Sequence, residues 1–296
     1  MEQNNVFTIP GGWAAETVEP PLIDVTGISR RFMDIPYASQ SPSQKLDIYL
    51  PEEGEGPFPT MIFIHGGGFF GGKKGDAQVG TILNAIRYGF AVVSVEYRLA
   101  GEAKYPAGLF DLKAAIRFLR ANAAKYMLDG DRFAVGGTSA GGYYAVMAAA
   151  TQDDPAFEDL SMGCASYSSR VQAVISWFGT FDLVLQSKSF NNPDMPSFEA
   201  LLCGAAPDAI PGLMYFTNPM NFLTPAFPPI LLFHGDDDHI VPVEESRMLC
   251  RRLTEIKGGR DVQYVEREGF MHGDFGFMKP DMEAVAVEFL KKYLSA

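Results

Sequence analysis

Asp131-Arg132-Phe133-Ala134-Val135-Gly136-Gly137-Thr138-Ser139-Ala140-Gly141 is the stretch that decides the reading of this chain. A short apolar strand runs into Gly-x-Ser-x-Gly and on into a small-residue helix expected over 142–150. A strand–turn–helix of this kind makes a serine a nucleophile, because the sharp turn lifts its hydroxyl clear of the sheet. So tight a turn strains the backbone at Ser139 and leaves no room for side chains two residues to either side. Gly137 and Gly141 meet that demand. The same five residues also suit an ordinary helix start with a Ser or Thr cap, so the rest of the chain has to decide.

Upstream, Thr60-Met61-Ile62-Phe63-Ile64 is an apolar run of strand length that stops at His65-Gly66-Gly67-Gly68-Phe69. A buried strand followed by three glycines offers backbone N–H groups with no side chain in the way. Acyl transfer needs such donors for the negative oxygen of its tetrahedral intermediate. A plain flexible turn is the competing reading. A phosphate loop is disfavoured, since the spacing matches neither Gly-x-Gly-x-x-Gly nor the Walker pattern.

The general base has to be a histidine, and the chain has His65, His234, His239 and His272. His65 lies in the glycine loop and is read as its brace. His234 closes the apolar run Ile230-Leu231-Leu232-Phe233, and His239 sits among aspartates in a loop. His272 alone follows the last expected strand, Val262-Gln263-Tyr264-Val265. The acid comes from Asp236-Asp237-Asp238. Such a run is usually a solvated turn, but this one begins where a buried strand ends, so at least one carboxylate can point inward. The chain order Ser, Asp, His differs from the orders of chymotrypsin-like and subtilisin-like proteins.

With these residues in hand, the chain resembles the α/β-hydrolase family, in the branch of hormone-sensitive-lipase-like and feruloyl- or acetyl-esterase-like carboxylesterases. The matching motifs are His65-Gly66-Gly67-Gly68, Gly137-Thr138-Ser139-Ala140-Gly141 and His234-Gly235-x-x-Asp238-x-x-Val241-Pro242. Val95-Glu96-Tyr97-Arg98-Leu99, the stretch from Tyr105 to Asp111 and the stretch from Ser43 to Pro51 resemble it too. The resemblance covers about residues 27–294. It implies a mostly parallel central sheet of about eight strands flanked by helices, with a cap insertion. It also implies Asp238, the third of its run, as the acid. One departure stands beside the base: Met271-His272-Gly273-Asp274-Phe275 carries an extra carboxylate, Asp274.

Strand–helix alternation supports a parallel sheet wrapped by helices. Strands are expected at 45–50, 61–64, 91–95, 133–135, 171–178, 230–233 and 262–265, and helices at 77–88, 109–125, 142–151, 243–257 and 282–294. Such sheets bind ligands at the carboxyl ends of their strands, where every proposed catalytic residue falls. Residues 183–227 break the alternation and are rich in Pro, Asn, Met and Phe. A loop this long within a compact domain is usually functional or disordered. It is read as a cap whose apolar residues Phe190, Met195, Phe198, Met214, Tyr215 and Phe216 are available to a pocket, although most such side chains simply pack. Arg98 and Asp111 are read as a structural ion pair. The run from Asp129 to Arg132 is read as a turn into its strand, and Lys73-Lys74 as solvated loop.

A length of 296 residues without linker, repeat or low-complexity stretch is read as one domain, 1–296, with the cap at about 183–227. A net charge of −12 disfavours nucleic acid. No apolar stretch reaches the ~18–20 residues of a membrane span. Residues 1–10 have no long apolar core, so no signal peptide is expected and a cytoplasmic location is the default. Cys164, Cys203 and Cys250 have no metal spacing, and an odd count argues against a disulfide framework.

The expected chemistry is that of a serine carboxylesterase without metal or organic cofactor, acting on a small-molecule or carbohydrate ester. Ser139, His272 and Asp238 form the triad, and the N–H groups of Gly67, Gly68 and Ala140 the oxyanion hole. The resemblance points to small or medium acyl esters, acetyl or feruloyl groups on plant carbohydrate among them. Phe69, Phe70, Tyr143 and Phe216 are the candidates for contact with substrate. The alternatives are an amide hydrolase of arylformamidase-like or peptidase-like type on the same triad, or a non-catalytic ligand-binding protein. Arylformamidase-like sequences usually place an aromatic residue soon after two glycines, where this chain has Gly68. Receptors on this fold typically lose the base, whereas His272 is present.

Overall fold

The structure is a computed structural model, and it describes residues 21–152, 154–189 and 197–295. Phe190, Met195 and residues 1–10 fall outside the described residues. One sheet organises the chain. Its strands are β1 (Arg31–Pro36), β2 (Lys45–Tyr49), β3 (Phe58–Ile64), β4 (Ala91–Val95), β5 (Leu128–Thr138), β6 (Ala173–Trp177), β7 (Ile230–Gly235) and β8 (Val262–Arg267). They lie in the order β1-β2-β4-β3-β5-β6-β7-β8, antiparallel at β1/β2 and β2/β4 and parallel from β4 to β8. This is the layered arrangement that the resemblance implies.

The inner strands are apolar throughout because both faces of the sheet are covered. Alternate residues go to opposite faces. Ile62, Ile64, Val93, Val135, Val174 and Leu232 pack under α1 (Ala107–Ala121), α2 (Ala140–Ala150) and α6 (Val243–Lys257). Met61, Phe63, Val92, Ala134, Ile175 and Leu231 pack against α7 (Pro280–Leu294) and the turns around Val79 and Leu83. The chain leaves β3 toward β4 and then returns to the other side of β3 to enter β5. Such a reversal opens a crevice at the carboxyl ends of the two strands, where ligands bind in open α/β sheets. The glycine loop and Ser139 occupy that crevice.

Three expectations are corrected, and one strand was not among them. The segment 77–88 is not one α-helix but two 3-10 stretches, Ala77–Thr81 and Leu83–Tyr88, broken at Ile82, where φ is −137°. The run from Asp129 to Arg132 is not a turn but part of β5, its Asp129 paired with Arg132 at 2.7 Å. Lys74 is not solvated: it is buried and donates to both oxygens of Asp47 at 2.8 Å. β1 went unforeseen because it is a mostly exposed edge strand without regular alternation, its register shifted between Phe32 and Ile35. The ion pair of Arg98 with the fully buried Asp111 is present, at 2.8 Å.

Between β6 and β7 the described residues form the short helices α3 (Leu183–Ser189), α4 (Phe198–Cys203) and α5 (Pro211–Thr217), with 3-10 turns at Pro207–Ala209 and Pro219–Asn221. No helix among the described residues is long and apolar enough to cross a membrane.

Candidate active site

β5 delivers Ser139 at φ 53°, ψ −119° and passes at once into α2. A non-glycine residue held there costs on the order of 1–3 kcal/mol and persists only where its surroundings enforce it. They do so here. The Ser139 N–H donates to the carbonyl of Trp177 at 2.9 Å, across the end of β6. A Cβ on Gly137 would lie 2.3 Å from the Ile64 carbonyl oxygen, and one on Gly141 would lie 2.1 Å from the same atom. Strand, elbow and helix therefore meet with backbone touching backbone.

The glycine loop leaves β3 beside this elbow. Gly67 sits at φ 120°, where an added Cβ would fall 2.2 Å from the carbonyl oxygen of Gly71. Its own carbonyl accepts from Phe70 and Gly71 N–H at 3.2 and 3.0 Å, which folds the loop back on itself. His65 is buried, donates from Nδ1 to the Gly66 carbonyl at 2.8 Å and stacks on Tyr97 with centroids 4.5 Å apart. Burial holds its imidazole below the ordinary range, so it braces the loop as a neutral ring.

The loops after β7 and β8 complete the constellation. His272 Nδ1 is 2.7 Å from Asp238 Oδ2, and its Nε2 is 3.0 Å from Ser139 Oγ. A carboxylate accepts only, so Nδ1 carries the proton and the Nε2 lone pair faces the serine hydroxyl. Asp238 Oδ1 accepts from the N–H groups of Ile240 and Val241 at 2.9 and 2.8 Å. Burial by itself would raise the Asp238 carboxyl, but the charge of His272 and hydrogen bonds from His234 and His272 outweigh it. The group is held well below the usual carboxylate range and is ionised at neutral pH.

The three aspartates divide. Asp236 accepts from Gly269 N–H at 2.7 Å and ties down the turn before Phe270. Asp237 is exposed and pairs with the exposed His239 at 3.2 Å. Only Asp238 of the run reaches His272. Asp274 also has a local role, capping the turn Phe275–Met278 through the N–H of Gly276 at 2.6 Å.

Two neighbours escaped sequence reasoning. His234 is fully buried beneath the acid, its Nε2 3.0 Å from the Val241 carbonyl and 3.2 Å from Asp238 Oδ2. Both are acceptors, so Nε2 bears the proton, and Ser246 Oγ at 2.7 Å satisfies Nδ1. Its signal was its place at the end of β7, four residues before Asp238. Phe178 sets its edge against the His272 ring at 4.9 Å and packs on Phe277 at 5.2 Å. In the sequence it reads only as the last residue of an apolar strand.

The expected substrate-contact residues are scattered. Phe69 and Tyr143 are buried and meet edge to face at 5.4 Å. The Tyr143 hydroxyl donates to the Thr217 carbonyl at 2.8 Å, tying α2 to α5. Phe70 packs on Phe198 of α4 at 5.3 Å, and both rings flank Gly68. Phe216 is 49% exposed, and its ring faces Phe157, Tyr215 and Phe222, an aromatic cluster. Ala140, buried at the first turn of α2, follows Ser139 directly. Among the described residues, no group of three His, Cys, Asp or Glu side chains could hold a metal ion.

Comparison with known proteins accords with this geometry. The BD-FAE family model matches residues 46–253. Esterase LipC of Mycobacterium tuberculosis is 29% identical over 78% of this chain and 57% of its own length. Esterase LipQ of the same organism is 30% identical over 85% of this chain and 60% of its own. The chain thus spans little more than half the length of these curated relatives. A solved structure, a truncated form of a carbohydrate esterase from gut microbiota, superposes with a TM-score of 0.80 at 29% identity, over 92% of this chain and 98% of its own. The chain belongs to the BD-FAE family, in the hormone-sensitive-lipase-like carboxylesterase branch of the α/β-hydrolases.

Proposed function

We propose that the chain is a serine carboxylic-ester hydrolase. One observation carries the reading: a strained serine at a strand–helix elbow lies 3.0 Å from an imidazole nitrogen whose partner nitrogen is fixed by a buried carboxylate at 2.7 Å. Ser139 Oγ attacks the ester carbonyl while its proton passes to His272 Nε2. Asp238 holds the tautomer and stabilises the imidazolium. The N–H groups of Gly67, Gly68 and Ala140 take the charge that develops on the carbonyl oxygen. The intermediate collapses, the leaving alkoxide takes the proton from His272, and an acyl group remains on Ser139. Water then attacks with His272 as base, and the acid departs.

Acetyl or feruloyl esters of carbohydrate are the proposed substrates, supported by likeness to the gut carbohydrate esterase. A net charge of −12 favours an uncharged ester over a polyanion. The domain reading, one hydrolase domain over 1–296 with a cap at about 183–227, is supported by the single sheet and by the short helices between β6 and β7. A cytoplasmic location is part of the proposal and is checked by cell fractionation. The function is tested by a panel of acetyl, butyryl and feruloyl esters run beside aryl formamides, with fluorophosphonate labelling of Ser139 in parallel. Faster turnover of the formamides would overturn the ester assignment. Failure to label Ser139 would overturn the mechanism.

A further inference from the structure

The proposed oxyanion donors come from two different strands: Gly67 and Gly68 follow β3, and Ala140 follows β5. The β3–β5 ladder ends at the pair Ile64 and Gly137, so beyond it no sheet hydrogen bond fixes the distance between the two loops. Gln78 spans that gap. Its Oε1 accepts from the N–H of Gly66 at 2.8 Å and from the hydroxyl of Thr138 at 2.6 Å. Gly66 directly precedes the oxyanion glycines, and Thr138 directly precedes the nucleophile.

The amide orientation is determined by its surroundings. The Gly66 N–H can only donate, and the Asp76 carboxylate can only accept. Gln78 Nε2 accordingly donates to Asp76 Oδ2 at 2.9 Å, while Gln78 N–H donates to Oδ1 at 2.9 Å. Asp76 is buried and caps the turn that carries Gln78. The contact leaves no slack. A Cβ on Gly66 would lie 2.9 Å from Gln78 Oε1, 2.8 Å from the Thr138 carbonyl and 3.1 Å from Ser139 Cβ. One acceptor serving two loops, with a donor for a carboxylate behind it, fits a Gln. A Glu would set its charge against Asp76, and a Met offers neither group.

We propose that Gln78 is a positioning residue. Its amide locks the glycine loop to the nucleophile elbow and so fixes the two halves of the oxyanion hole at one spacing. This rests on the serine-esterase reading above. Preorganised donors act through distance, and losing one outright typically costs ~10²–10³ in turnover. Letting two halves drift, with every donor still present, should cost about 10–100-fold.

The test compares wild type with Gln78→Ala, Gln78→Met, Gln78→Glu and Thr138→Val on 4-nitrophenyl acetate. Each is also titrated with a trifluoromethyl ketone, which adds to the serine and places a charged oxygen in the hole. The Ala and Met variants should lose kcat by about 10–100-fold with KM changed less than about twofold. Ketone affinity should fall by a matching factor. Thr138→Val should lose less, and its loss should not add to that of Gln78→Ala. In Gln78→Glu the neighbouring Asp76 raises the new carboxyl, and once protonated that group can again donate to Asp76. Its activity relative to wild type should therefore recover as pH is lowered, which a purely structural defect would not do. Wild-type kcat in a folded Ala or Met variant would overturn the proposal, as would a loss confined to KM or an unchanged ketone affinity. If neither folds, a pH-independent Gln78→Glu defect overturns it instead. An active Ser139→Ala would sink the underlying mechanism, whereas an inert Ser139→Ala beside a normal Gln78→Ala would sink only this inference.

Discussion

The crevice loops and the segment between β6 and β7 are built on opposite terms. At the crevice, backbone packs on backbone: a Cβ on Gly137 or Gly141 would collide with the Ile64 carbonyl, and Ser139 is held at φ 53°. The segment 183–227 forms, in its described residues, short helices whose buried Leu183, Leu202 and Met214 join the main core. Side chains from the body tie it down by its carbonyls: Tyr143 to Thr217, Tyr105 to Phe216 and Lys104 to Leu201. At its root, buried Glu245 of α6 accepts from the N–H groups of Phe181 and Asp182 and from the Thr180 hydroxyl. The two regions meet where Phe198 lies against Gly68 and Phe70. On the proposed function, chemistry would sit on a part that cannot yield, and substrate selection on a part that can change without disturbing it.

The largest effect should come from the unyielding part. Ser139→Ala should fold normally and lose turnover by about 10⁴–10⁶-fold. Near-native activity in the pure variant would dissolve the contrast at its centre.

Next in size, the three aspartates should separate. Asp238→Asn should lose at least ~10³-fold in kcat, because the imidazole loses both its orienting acceptor and its counter-charge. Asp236→Asn and Asp237→Asn should stay within about fivefold of wild type. A larger loss at Asp236 would mean that the turn it pins to Gly269 matters more to His272 than the direct carboxylate contact does.

The cap offers a graded test. Phe198→Ala should change the kcat/KM ratio of butyryl to acetyl esters by up to ~10-fold, since contacts of this size are worth about 1–3 kcal/mol. Phe216→Ala, in the aromatic cluster with Phe157 and Phe222, should lower stability by about 1–2 kcal/mol and leave the ratio alone. The reverse pattern would show that the selective wall lies at α5 and not at α4.

The last effect, on stability and not on turnover, concerns the root of this segment. Burial pushes the Glu245 carboxyl up to about 8, against the three hydrogen bonds that favour its ionised form. The folded state therefore holds a proton that the unfolded chain releases near pH 4.5. Stability from this group is complete below that pH and is lost as pH rises toward 8, at up to ~1.4 kcal/mol per pH unit. Glu245→Gln should flatten this part of a Tm-against-pH curve. An unchanged curve would leave the cap root without a titrating group.

Strand ends were legible in the sequence, and side-chain direction was not. Ser139, Asp238 and His272 each follow an apolar run with a hard stop, and parallel strands bring such stops to one edge. Phe198 and Phe216 look alike in sequence because no period runs through 183–227, so nothing distinguishes a ring against Gly68 from one among other aromatics. The expected helix at 77–88 had apolar residues at helical spacing, yet the chain breaks at Ile82 and the first stretch turns on the cap at Asp76. That break also hid Gln78, whose contacts at Gly66 and Thr138 arise only when two strand ends come side by side. His234 and Phe178 were read as the last residues of buried strands, and it is the turn of the chain just beyond each that sets them against the triad.

The central claim is an acyl-enzyme at Ser139. Its most direct measurement is rapid acid quenching during turnover of 4-nitrophenyl acetate, followed by proteolysis and mass spectrometry of the peptide around Ser139. The expected result is one acetyl group on Ser139, formed in the burst phase and absent in Ser139→Ala. Turnover with no acetyl on that serine, or with acetyl on another residue at the same rate, would contradict it.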